Sequence, residues 1–179
     1  MQLTQRIEPL DVDVKGLPPL NIFKTLAHNP PLSRGFLALG SHLLRAGGLP
    51  ARERELVILR VGWRSESEYE FGQHTQIGLA EGLTDEEVAR VASNREGWSL
   101  ADAALIALAD ELCDHNVVSE GTWATLAERW SEPELLELLV LAGYYRLVSG
   151  MLNSAGVALE PGTPGWPVGV DARLRAPRA

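Results

Sequence analysis

The chain has 179 residues and a mass of 19.5 kDa, a length that suits one domain built around one hydrophobic core. Sixteen basic against 24 acidic residues leave a net charge of −8. Phosphate backbones are held by clustered basic surfaces, so nucleic acid is a disfavoured partner; the visible basic cluster, Arg173, Arg175 and Arg178, is small. A single cysteine, Cys113, excludes an intramolecular disulfide, a CxxC redox pair and a thiolate zinc site within one chain.

The opening MQLTQRIEPLDVDVKG lacks the basic start and apolar run of a secretory leader, so a cytoplasmic protein is expected. The most apolar run, Leu135 to Tyr145, contains Glu137 and falls short of the ~20 residues a bilayer span needs, so no membrane association is expected. Prolines at 9, 18, 19, 30 and 31 leave residues 1–33 room only for short helices, one of them over Ile22 to His28. Ser33 is the expected N-cap of a helix running through Arg45 and ending at Gly47-Gly48.

LPARERELVILRVGW follows, with Pro50 in a first helical turn. Leu56, Val57, Ile58, Leu59 and Val61 cover every direction of the cylinder, which predicts a central helix packed on several sides. Ser67 to Gly82 reads as the next helix, and Thr84-Asp85-Glu86-Glu87 as the cap and acidic first turn of another. Ser99 to His115, Ser119 to Trp130 and Glu132 to Asn153 complete the set, and no run alternates with period two. The expected fold is all-α: a single-domain bundle of about seven or eight helices. An arm over residues 1–20 precedes the helical domain over 21–160, and an extended tail covers 161–179. Trp166, isolated among prolines, fits either an arm laid on a neighbouring surface or an unstructured end.

The stretch WRSESEYEFGQHTQIG places several ionisable groups just after the most apolar helix. On a helical wheel Ser67, Glu70, Phe71, His74, Ile77 and Gly78 share an arc of roughly 120°. A face mixing polar and apolar side chains in this way is neither a core stripe nor a solvent stripe, and suits a pocket wall. Glu70 and His74, four apart, can meet on the helix surface; the bland alternative is an exposed pair of little energetic weight. Glu55 lies within the apolar central helix and needs a partner, because an unpaired buried carboxylate is costly. His74 and the arginines Arg52, Arg60 and Arg64 are all within reach of that role, and a Glu55–arginine network that only ties helices together is the competing reading. Cys113, in an amphipathic helical pattern, reads as a small core residue.

The run RERELVILRVGWRSESEYEFGQHTQIGLAEGLTDEEV, with the flanking LAHNP and LNSAGVALEPG, resembles the carboxymuconolactone decarboxylase and alkylhydroperoxidase D-like superfamily over roughly residues 20–160. The peroxidase branch of that superfamily carries Glu, eleven residues, Cys, two residues, Cys, three residues, His. Laid on this chain, the pattern puts Glu on Glu55, the cysteines on Ser67 and Glu70, and His on His74. The spacing is kept and both thiols are gone, so the resemblance implies a branch without the CxxC pair, in which thiol–disulfide peroxidase activity is not expected.

What the resemblance implies is cofactor-independent acid–base chemistry, a lyase (decarboxylase) or isomerase acting on a small oxygenated or carboxylated molecule. Glu55, Glu70 and His74 are the expected catalytic residues, with His74 as proton carrier because its ordinary pKa lies near neutrality. Ser67, Trp63, Tyr69, Phe71 and Tyr145 are expected around the substrate. Arg60, Arg64 and Arg146 are expected there to hold a carboxylate. No cofactor or metal is expected; Glu70 and His74 with Glu66, His42 or His115 would make a metal set, yet no HExxH pattern is present. The resemblance also implies a homo-oligomer, a trimer or a dimer of trimers. An alkylhydroperoxidase-like antioxidant protein without the CxxC pair and a non-enzymatic binding or assembly module are the alternatives.

Overall fold

The computed structural model describes residues 4–14, 16–93 and 97–168. Those residues form an all-helical domain, with no strand among them. The basic cluster at Arg173, Arg175 and Arg178 and the last part of the 161–179 tail lie outside the described residues.

Helix α1 is Asn21–Leu26 and α2 is Pro30–Ser41. The second begins earlier than Ser33, because the Asn29 side chain accepts the Leu32 N–H and Pro30-Pro31 occupy the first helical positions, where a missing N–H costs nothing. It does not run on as an α-helix to Arg45 either. From His42 to Ala46 the chain widens into one π-helical turn before Gly47.

Helix α3, Ala51–Arg64, is the axis of the molecule. Leu56, Val57, Leu59, Val61 and Trp63 are wholly inaccessible on all its sides. Four later helices pack around it: α4 (Glu68–Ala80), α5 (Asp85–Val91), α6 (Leu100–His115) and α8 (Glu132–Ala155). Helix α7, Glu120–Ala127, closes the space between α6 and α8. The expected cap at Thr84 is a full capping box with Glu87, and Ser131 and Glu134 form another at the start of α8. Gly156, with φ of 70°, ends α8 in the left-handed conformation that glycine adopts most readily.

By length and composition α8 is apolar enough to cross a membrane, which the shorter run seen in the sequence did not suggest. Here one face of it, from Leu135 and Leu138 to Val148 and Leu152, is part of the core.

Trp166 is laid on the surface of its own helical domain. Its ring centroid lies 5.2 Å from those of both Trp63 and Phe71, so the tail folds back onto its own chain. The offset and edge arrangements of the three rings are those that aromatic quadrupoles favour.

Candidate active site

The close approach of α3 and α4 brings the polar residues together. Gly62 and Gly78 allow it: a Cβ at Gly62 would lie 3.3 Å from the Phe71 backbone N, and one at Gly78 would lie 2.9 Å from Leu83 Cδ1 and 3.5 Å from Glu55 Cβ. Across this contact Glu55 Oε2 lies 2.6 Å from Nδ1 of His74, both side chains being almost fully withdrawn from water. The other Glu55 oxygen accepts a hydrogen bond of 3.1 Å from Nε of Arg54. The partner of Glu55 is therefore both an imidazole and an arginine, although the arginine is its sequence neighbour. Arg52, Arg60 and Arg64 are engaged elsewhere: Arg52 with Glu87 and Asp102, Arg64 with Asp114.

With Nδ1 committed to Glu55, the other ring nitrogen is directed toward α4's own carboxylate. His74 Nε2 is 3.5 Å from Glu70 Oε2, beyond a good hydrogen bond and close enough for strong electrostatic coupling. Tyr145 meets the imidazole at right angles, ring centroids 4.8 Å apart. Burial alone would lower the His74 pKa. The adjacent Glu55 charge and its hydrogen bond outweigh that, with help from Glu70, so the pKa lies above the ordinary histidine value. Burial pushes the Glu70 carboxyl up to about 7; the charge of His74 partly opposes this and that of Glu55 reinforces it. Burial also keeps the Tyr145 phenol neutral well beyond its usual range.

A cavity of about 530 Å³ opens in front of this pair. Tyr69, Glu70, Gln73, His74 and Ile77 of α4 form one wall, Tyr144, Tyr145 and Val148 of α8 another. Ile22 and Phe23 of α1 and Phe36, Leu37, Ser41 and Leu44 from α2 and its π-helical extension close the third. The result is an aromatic and aliphatic enclosure with a few polar groups at one place, the usual character of a small-molecule site. Two guanidinium groups, Arg34 and Arg45, also reach the lining; both side chains are exposed and make no ion pair with a described residue.

Two tyrosine hydroxyls of the wall are already used. Tyr144 donates to the Phe36 carbonyl at 3.0 Å, and Tyr69 donates to Glu160 at 2.8 Å while accepting the Ile22 N–H. Glu160 also accepts from the Asn21 backbone N–H and from Gln73, so one carboxylate fastens α1, α4 and the tail around the cavity. The Tyr145 hydroxyl makes no hydrogen bond with a described residue. A second recess, about 780 Å³, lies between the N-terminal arm and the end of α8; it shares Tyr69 with the first and contains no histidine.

Of the residues expected from the sequence, Tyr69, Glu70, His74 and Tyr145 line the cavity, and Glu55 stands behind His74. Six do not line it. Ser67 and Phe71 face α3 and are completely enclosed, the Ser67 hydroxyl without a hydrogen-bond partner among the described residues. Trp63 is in the core with Phe71 and Trp166. Arg60 points the opposite way, into a buried two-pronged pair with Asp110 at 2.7 and 2.9 Å and onto the Val91 carbonyl. Arg64 binds Asp114, and Arg146 binds the Leu112 carbonyl and Asn116 on the far side of α8. The expected wheel arc therefore splits: Glu70, His74 and Ile77 go to the cavity, Ser67, Phe71 and Gly78 to the helix interface.

The lining supplied by α1, α2 and the π-helical turn was not identified in the sequence. Arg34, Leu37 or Ala38, Ser41 and Arg45 do recur at helical spacing; the signal was masked because the helix changes pitch within it. Cys113, on α6, does not line the cavity, and burial raises its thiol pKa, which disfavours the reactive thiolate. Among the described residues no group of three His, Cys, Asp or Glu side chains is gathered as a metal site.

Residues 30–110 match the model of the carboxymuconolactone decarboxylase family, and the bundle has the AhpD-like arrangement of helices, which supports assignment to that superfamily. An uncharacterized peroxidase-related protein from Silicibacter sp. TM1040 superposes with a TM-score of 0.75 at 13% identity, covering 89% of this chain and 96% of that one. A peroxidase-related protein with an alkylhydroperoxidase AhpD core, from Ralstonia eutropha JMP134, gives 0.71 at 23% identity, over 78% and 76%. The debrominase Bmp8, as a cysteine-to-alanine variant in complex with 2,3,4-tribromopyrrole, gives 0.74 at 14% identity, over 90% and 95%. A comparison with curated proteins finds no match.

Proposed function

We propose that the protein is a cofactor-independent acid–base enzyme, a decarboxylating lyase or an isomerase, acting on a small, largely apolar molecule that carries an oxygen function. One observation carries the reading: a histidine fixed at Nδ1 by a buried carboxylate stands in the wall of an apolar cavity beside a second carboxyl poised near neutrality. Groups titrating close to working pH transfer protons efficiently in both directions. Glu55 holds the imidazole in one tautomer and stabilises its charged form, as Arg54 in turn holds Glu55. Nε2 is then the atom that gives or takes a proton at substrate carbon. Glu70 receives or returns that proton. Tyr145 offers a neutral phenolic hydroxyl to a substrate oxygen.

In a decarboxylation the bond to the departing carboxylate breaks and its electron pair passes into the adjoining carbonyl as an enolate. Carbon dioxide leaves in that step, and the carbon that bore the carboxylate then takes one proton from protonated His74. In an isomerisation the same nitrogen removes a proton from one carbon and returns it to another. The size and aromatic lining of the cavity support a compact, flat substrate. The neighbouring fold of a debrominase that binds a brominated pyrrole is in keeping with this.

The test is a screen of β-keto acids, carboxylated lactones and enolisable ketones in deuterated water. Carbon dioxide release and deuterium incorporation are followed by mass spectrometry, with His74→Gln as the control. Turnover that falls at least ~100-fold in the variant supports the reading. Turnover that persists undiminished with the imidazole gone overturns it.

A further inference from the structure

The Glu70 carboxylate is almost fully withdrawn from water, yet neither of its oxygens accepts a hydrogen bond from a described residue, His74 Nε2 standing off at 3.5 Å. A structural carboxylate at such depth collects donors, as Glu55, Asp110 and Glu160 do in this chain. Glu70 instead lines the cavity, and its oxygens are not among the sealed, unsatisfied polar atoms of the core. Around it the groups stand in the order that activates a nucleophile. Glu55 Oε2 holds His74 Nδ1 at 2.6 Å, and His74 Nε2 faces Glu70 Oε2: an orienting carboxylate, a base and a carboxylate with free lone pairs. Contacts of this kind tighten when a substrate is bound. Against the same imidazole stands Tyr145, ring centroids 4.8 Å apart, its hydroxyl making no hydrogen bond with a described residue.

We propose that this cavity also hydrolyses epoxides, with Glu70 as a covalent nucleophile, Tyr145 as the proton donor to the opening ring and His74 as the base that activates water. In the first step a Glu70 oxygen bonds to one ring carbon, and the C–O bond of the epoxide breaks with its electron pair passing to oxygen. That alkoxide takes the Tyr145 proton, which the imidazolium of His74 restores, leaving a hydroxyalkyl ester of Glu70 and a neutral imidazole. In the second step His74 Nε2 takes a proton from water as the water oxygen adds to the ester carbonyl. The tetrahedral intermediate collapses, its bond to the alcohol oxygen breaks, and the departing alkoxide takes the proton of the new carboxyl group. A vicinal diol leaves, the Glu70 carboxylate and the His74 imidazolium are restored, and epoxide plus water is the whole balance. An alkoxide needs the tyrosine proton where a departing halide does not, so an epoxide is the electrophile this set of groups fits best. Phe23, Phe36, Tyr69 and Tyr144 in the lining suit a phenyl substituent on it.

The electrostatics run in the same direction. Burial brings the Glu70 carboxyl up to about 7, so at slightly alkaline pH it is an anion with little hydration to shed. The raised pKa of His74 keeps a proton available for the first step, and esterification removes the Glu70 charge that helps to raise it, which frees the ring to act as a base in the second. This chemistry shares the geometry of the acid–base reading and none of its carbon protonation, so either can fail alone.

The test uses the full chain as Cys113→Ser, which keeps every cavity group and removes the lone thiol as a target for alkylation, with styrene oxide as the probe. When His74→Gln is added, the second step stops. Intact mass and peptide mapping should then find the protein heavier by one opened epoxide, attached at Glu70, with circular dichroism as the check on folding. A second measurement leaves the site unaltered: a single turnover with protein in excess, in water enriched in heavy oxygen, should put the label into the Glu70 carboxylate and leave the diol unlabelled. Glu70→Gln should cut diol formation at least ~1000-fold. Heavy oxygen in the diol and none in Glu70 would mean that water attacks the epoxide directly, and overturns the proposal. Absence of diol from styrene oxide and its ring-substituted relatives overturns it as well. Neither result moves the carbon dioxide and deuterium readouts by which the acid–base reading is judged.

Discussion

Nδ1 of His74 lies 2.6 Å from Oε2 of Glu55 across the α3–α4 interface, in a core where neither side chain has appreciable access to water. The chemistry of His74 depends on this contact, because it occupies one ring nitrogen, leaves Nε2 toward Glu70 and raises the affinity of the ring for its proton.

Glu55→Gln keeps the shape and removes the charge. Burial then acts on His74 with less opposition, and the positive Arg54 acts in the same sense. The imidazole pKa should fall, read by NMR of the ring nitrogens. The linkage has a definite sign. In the native protein the His74 pKa is raised, so its contribution to stability is complete below the ordinary histidine value near ~6.5 and disappears as pH climbs through the raised one. The variant should lose that acid-side stabilisation and converge on the parent at high pH. An unchanged His74 titration would show that Glu55 does not govern it.

Glu70 gives a profile of the same sign over a lower pH range. Its native pKa, pushed up to about 7 by burial, exceeds that of the unfolded chain, near ~4.3. Between those values the unfolded state releases a proton that the native state keeps, so stability falls as pH rises. Glu70→Gln mimics the protonated form. It should match the parent at about pH 4 and exceed it at about pH 8.5, by on the order of 2 kcal/mol or roughly 5 °C in Tm. Equal melting curves at the higher pH would mean that the carboxyl ionises freely.

How far the sequence reached follows from what each signal measures. The all-round apolar surface of α3 reports a central position directly, since no other placement satisfies Leu56, Val57, Ile58, Leu59 and Val61 together. The spacing of Glu55, Glu70 and His74 was legible for the same reason: it is fixed by two helices and a tight turn. Which way Arg60 turns was not legible, because its flanking residues are apolar on both sides and the decisive partner, Asp110, is fifty positions away. The mixed arc on α4 did indicate a wall, but a wheel cannot tell the edge that faces a cavity from the edge that faces another helix. The third wall was hidden by the π-helical turn, which shifts Leu44 and Arg45 off the α-helical register.

Arg60 and Asp110 should therefore act on stability and not on ligand recognition. Both are buried and paired through two hydrogen bonds, with the guanidinium also satisfying the Val91 carbonyl. Removing one partner takes the two-pronged bond from the other buried charge, leaving Asp110 with Arg64 at 3.7 Å or Arg60 with the Val91 carbonyl, at a cost of about 3 kcal/mol. Arg60→Met and Asp110→Asn should each lower Tm by roughly 10 °C or more, while the double change recovers part of the loss. Ligand affinity at a temperature where the variants remain folded should match the parent. A selective loss of affinity with Tm unchanged would return Arg60 to the site.

Gly78 offers a way to move the pair without touching either member. It sits one turn beyond His74, and a Cβ there would lie 2.9 Å from Leu83 Cδ1, 3.4 Å from Leu59 Cδ1 and 3.5 Å from Glu55 Cβ. Leu59 and Leu83 belong to the close-packed core and have little room to withdraw. In Gly78→Val the branched side chain must push α4 off α3, lengthening the Glu55–His74 contact that spans them. Overpacking of this kind costs about 1–3 kcal/mol, which the fold should survive. The specific expectation is that the His74 pKa drops toward its ordinary value, while Gly82→Ala, where a Cβ meets open space, leaves it in place at a comparable loss of stability from its positive φ of 101°. If both variants leave the histidine titration where it is, the 2.6 Å contact does not depend on how closely the two helices approach.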